Sequence, residues 1–122
     1  MKKTICRTRL GVFGLDVQVD TEFSGGSGIS RHPKTGLPTI VVGISSGWNV
    51  AVEVLIHEAF EMAAVLRGLR YREDGSCMEE GSGHTIFIMT HEQMDKSIED
   101  IAPVIADAMP PLAKAHRALH KD

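Results

Sequence analysis

Residues 48–66, WNVAVEVLIHEAFEMAAVL, constrain the fold of this chain more than any other segment. At about 100° per residue, Asn49, Glu53, His57 and Glu61 line up as one polar stripe. Val50, Val54, Phe60 and Ala64 share that arc. Trp48, Ala51, Leu55, Ile56, Ala59 and Met62 fill much of the remaining circumference. The pattern predicts a helix from about residue 47 to 66 that is apolar nearly all round. Ser45 or Ser46 is placed to cap its start, and Gly68 lies just past its end, where a left-handed residue is often needed. A helix of this kind is expected to be buried, and a buried polar stripe needs partners.

The chain around it has 122 residues, enough for a single domain spanning 1–122. Hydrophobic residues make up 43% and charged residues 24%, which excludes a disordered tail and a coiled-coil rod. Thirteen basic and sixteen acidic side chains leave a charge of −3, so composition does not point to nucleic acid as a partner. Cys6 and Cys77 imply no disulfide framework, and a reducing compartment is the simpler reading. No run reaches the roughly 20 apolar residues that span a bilayer, and the first residues lack the apolar core of a signal peptide. The expectation is a soluble cytoplasmic protein without a membrane partner.

Residues 3–10 and 15–21 alternate in character and read as a β-hairpin turned at Gly11 and Gly14, with Val17 and Val19 on its inner face. Residues 24–37, rich in Gly and Ser, read as a long flexible loop. Residues 38–44 (PTIVVGI) form a buried strand, and 84–89 (HTIFIM) another. Thr90 and Gln93 make a capping box, so a second helix starts at His91 and runs to about Met109. Pro103 should kink it, and Pro110–Pro111 should stop it and open a short third helix to His120. The fold class is α+β: a small antiparallel or mixed sheet of three to five strands, packed against two main helices and a short C-terminal helix.

The centre of the first helix is His57-Glu58-Ala59-Phe60-Glu61, set between the apolar pairs Leu55-Ile56 and Met62-Ala63. A metal ion would satisfy an imidazole and a carboxylate there together. This IHEAFE segment resembles the metal-binding helix of zincin metallopeptidases, whose motif is H-E-x-x-H. The resemblance implies His57 as first metal ligand, Glu58 as the general base acting on metal-bound water, and Glu61 in the place of the second histidine. Zinc accepts carboxylate oxygen as well as imidazole nitrogen, and iron suits the same donors. His91 is the expected third ligand, turned toward the core from the edge of the second helix's apolar face; His84 is held in reserve. The function implied is a small zinc-binding protein of zincin-like character, a hydrolase if Glu58 serves as base. A small chain with such a helix, followed by one that begins at His, also resembles small phage or prophage proteins. Beside this stands a non-enzymatic reading: a phage-encoded inhibitor or assembly subunit that binds a protein or peptide partner. In it the His57/Glu61 stripe is a helix-stabilising pair or an interface, and homo-oligomerisation covers the apolar excess of the helix. His32, His116 and His120 read as solvated surface.

Overall fold

The computed structural model describes residues 1–31, 36, 38–72, 85–87 and 89–121. The chain order is β1 (Lys2–Leu10), β2 (Phe13–Asp20), β3 (Ser24–Arg31), β4 (Pro38–Ile44), α1 (Trp48–Leu66), β5 (Arg70–Arg72), β6 (Thr85–Phe87) and α2 (His91–Leu119). The class is α+β. The main sheet has the order β1-β2-β4-β3 and is mixed: β1/β2 and β3/β4 are antiparallel, β2/β4 parallel. β5 and β6 pair antiparallel as a separate ribbon.

The β1–β2 hairpin forms where its alternation demands. Gly11 sits at φ 60° in the turn, a conformation that costs glycine little. Leu15, Val17 and Val19 of β2, with Ile40, Val42 and Ile44 of β4, point to one side and are buried. There they meet Leu55, Ala59 and Met62 of α1 and Val104, Ala108 and Leu112 of α2, so both helices cover one face of the sheet. On the opposite face Asp16 is buried, and Arg7 Nε donates to its Oδ1 at 2.7 Å across the hairpin.

Three expectations change. Part of the Gly-rich segment is not loop: Ser24–Arg31 pairs with β4 from Ser24↔Ile44 to Arg31↔Pro38. Glycine weakens a strand, yet close backbone approach can require it, and Gly43, the register partner of Gly25, shows why. A Cβ on Gly43 would lie 2.5 Å from the Phe23 carbonyl oxygen. The helix from His91 also does not break. It runs to Leu119 through Pro103, Pro110 and Pro111, and the short C-terminal helix is its last turns. Proline removes the bond to the carbonyl four residues back, which here belongs to Glu99, Ala106 and Asp107. All three residues are exposed, so water can satisfy those carbonyls. Finally, α1 starts at Gly47 without a side-chain cap, so neither Ser45 nor Ser46 serves.

The start of α2 matches its sequence. Thr90 Oγ1 accepts from Gln93 N at 3.1 Å, and Gln93 Oε1 accepts from Thr90 N at 2.8 Å. Thr90→Ala is expected to lower unfolding free energy by ~1 kcal/mol, readable as a shifted urea midpoint with unchanged slope.

Candidate metal centre

Helix α1 seats its Ala51, Leu55, Glu58, Ala59, Met62 face on the sheet. The polar stripe is therefore not buried as a whole. Asn49, Glu53 and His57 face outward, and the His57 side chain is 64% exposed. Glu58, offset from the stripe, is the carboxylate that goes inside, at 6% exposure. It sits where the helix meets β3.

Three donors converge on this turn. His57 Nε2 and Glu61 Oε2 are 2.7 Å apart across one helical turn. His57, Glu58 and Glu61 each offer one ligand atom within 4.8 Å of the others. Donors on a tetrahedral zinc ion with bonds near 2.1 Å lie ~3.4 Å apart, and the three ligand atoms here lie within 4.8 Å of one another. One imidazole nitrogen and two carboxylate oxygens suit zinc or ferrous iron. The site opens on a cleft of about 340 Å³ lined by Gly25, Gly26, Val50, Glu53, Val54, His57 and Glu58. Glu53 joins Glu58 as a second carboxylate on the cleft wall, and this concentration of negative charge favours a cation.

His91 is not brought to this site. α2 runs antiparallel to α1: Arg67, just past α1, donates to Asp100, while His116 reaches back to the carbonyl of Ser46 before it. At about 1.5 Å per residue, His91 stands roughly 13 Å beyond the level of Asp100. His57 lies roughly 15 Å inside the level of Arg67, which puts the two histidines more than ~20 Å apart along the axes. His91 is also turned outward rather than to the core, 83% exposed, with Nδ1 3.3 Å from Asp95 Oδ2. The α2 core face is instead Ser97, Ile101, Val104, Ala108 and Leu112. His84, the reserve ligand, lies outside the described residues, as do His32 and Cys77.

The structure also assigns work to two residues that read as solvated surface. His116 Nε2 donates to Ser46 O, and His120 Nε2 to Ile44 O, each at 2.8 Å. Their rings stack at 4.1 Å, and Trp48 meets His116 edge-on at 5.6 Å. They hold the uncapped entry to α1. The i,i+4 spacing of two histidines was the available signal, but its partners are backbone carbonyls far away in sequence.

Among the described residues, no helix is long and apolar enough to cross a membrane. Comparison with protein-family models, with curated proteins and with solved structures finds no match to this chain.

Proposed function

We propose that the chain is a small divalent-metal-binding protein of zincin-like character, with His57, Glu61 and Glu58 as its donor set and zinc, or iron, as its metal. The observation that carries this is the convergence of one imidazole and two carboxylates within 4.8 Å on one helical turn, at the mouth of a cleft. Glu58, which the motif resemblance casts as general base, here also supplies the third donor in place of His91, which antiparallel packing keeps away.

The reaction class that suits such a site is hydrolysis. The metal would supply Lewis acidity and lower the pKa of water. Glu58 fits a general base because its burial against β3 fixes its position, and a carboxylate has a second oxygen to accept a proton. Because all three donors come from one helix, the cleft side is left for substrate. Cys6 is a free thiol, which suits a cytoplasmic setting.

Zinc titration calorimetry on untagged protein tests the reading. About one equivalent should bind, and Glu58→Gln, which removes one of three donors, should weaken it by at least ~10-fold, the least that loss of even an outer-sphere partner costs. No binding by the unmodified chain would overturn the metal reading.

One observation favours the interaction-protein reading. Val12 and Phe13 at the hairpin tip and Leu66 at the end of α1 are 78%, 48% and 39% exposed and line one shallow pocket. Such a patch suits a protein or peptide partner, or a second copy of the chain. Concentration-dependent sedimentation that Phe13→Ser abolishes would support the second copy.

A further inference from the structure

The Gly-rich strand β3 does more than close the sheet edge. Gly26 lies under the α1 turn that carries Val54 and Glu58. A Cβ built on Gly26 would overlap the Val54 side chain, lie 2.8 Å from the Val41 carbonyl oxygen and 3.1 Å from Glu58 Cγ. The first two are closer than packed atoms tolerate, and the third makes Glu58 give by a few tenths of an ångström. Neighbouring Gly25 differs: a Cβ there meets nothing within 4 Å, and its requirement is the backbone, at φ 86°.

We infer that Gly26 is a positioning residue for the metal centre: the missing side chain lets α1 settle on β3 and sets the depth at which Glu58 joins His57 and Glu61. This rests on the metal-binding reading above. The Val41 oxygen is main chain and cannot rotate away, so any side chain at 26 must lift β3 or α1. The same Cβ presses on Glu58 Cγ at 3.1 Å, so the Glu58 side chain must turn relative to His57 and Glu61, which share its helix. The three atoms nearest the added Cβ belong to Val54, Val41 and Glu58, and none to His57 or Glu61. Gly26 therefore acts on zinc through Glu58.

A set of variants in a zinc competition assay against a chromophoric chelator tests this, with circular dichroism and thermal melting as fold controls. Gly26→Ala should melt cooperatively and bind zinc at least ~10-fold more weakly, the scale of losing a supporting carboxylate. Gly68→Ala, at φ 69° past the end of α1 with nothing within 4 Å of an added Cβ, should lose stability through its strained backbone and keep zinc affinity. In a double-mutant cycle, Gly26→Ala should cause little further loss once Glu58 is Gln. If Gly26→Ala does not fold, the same measurements apply to Gly26→Ala with Val54→Ala, which removes the overlapping side chain. Unchanged affinity in the Gly26 variant overturns the inference. So does an equal loss in Gly68→Ala, or a full additional loss on the Glu58→Gln background. Absence of zinc binding by the unmodified chain is a separate outcome: it overturns the metal reading, and this inference with it.

Discussion

Replacing His57 by alanine is expected to reduce zinc from about one equivalent per chain to none. The imidazole is the only nitrogen donor in the group; Glu58 and Glu61 would remain as two carboxylates three positions apart on one helix. Two hard oxygen donors hold zinc far less well than a set containing imidazole. The same change should leave the fold almost untouched. The His57 side chain is 64% exposed, and its pairing with Glu61 is an i,i+4 surface contact worth ~0.5 kcal/mol or less. Elemental analysis beside a melting curve separates the effects. Lost zinc with an unmoved melting temperature identifies His57 as a ligand; retained zinc places the metal elsewhere.

The opposite result is expected two residues earlier. Leu55 is 0% exposed and lies in the core cluster between α1 and the sheet. Leu55→Ala removes apolar contacts and leaves a cavity, at a cost of ~2–5 kcal/mol. Domains of this size hold only ~5–15 kcal/mol, so the melting temperature should fall by roughly 10 °C or more. Urea unfolding should show a lower midpoint with the slope retained. A cost under ~1 kcal/mol would mean that α1 is not seated as described, and the placement of Glu58 would fall with it. Leu55 and His57 thus probe opposite sides of one helix.

That two-sidedness was only partly legible in the sequence. Alternation exposed the hairpin and the inward Val17 and Val19, and the capping box at Thr90 fixed the start of α2. The core cluster at 51, 55, 59 and 62 follows helical spacing, but periodicity cannot say which arc of a largely apolar helix meets the sheet. Val50, Ile56 and Leu66 stay partly in solvent, while Glu58 goes in. The choice is made by β3, and β3 was invisible to propensity because glycine and serine are poor strand formers. Its pairing with β4 and the closeness of α1 over Gly26 are tertiary facts. The prolines in α2 misled for a related reason: the hydrogen bonds they interrupt have their acceptors at the exposed residues Glu99, Ala106 and Asp107.

The candidate site divides the same way. The i, i+1 and i+4 spacing of His57, Glu58 and Glu61 is local, and the helix brings them together as the motif implies. A third ligand from another element depended on how two helices pack. Residue spacing cannot give that direction; the Arg67–Asp100 and His116–Ser46 contacts do.

The most direct test of the central claim is a crystal of the untagged protein grown with zinc, with anomalous diffraction recorded on both sides of the zinc edge. The expected result is one strong anomalous peak at bonding distance, ~2.0–2.2 Å, from a His57 ring nitrogen and a Glu61 carboxylate oxygen, with Glu58 turned toward it. An ordered His57–Glu61 pair with no peak beside it, or a peak only at His116 and His120, would contradict the account.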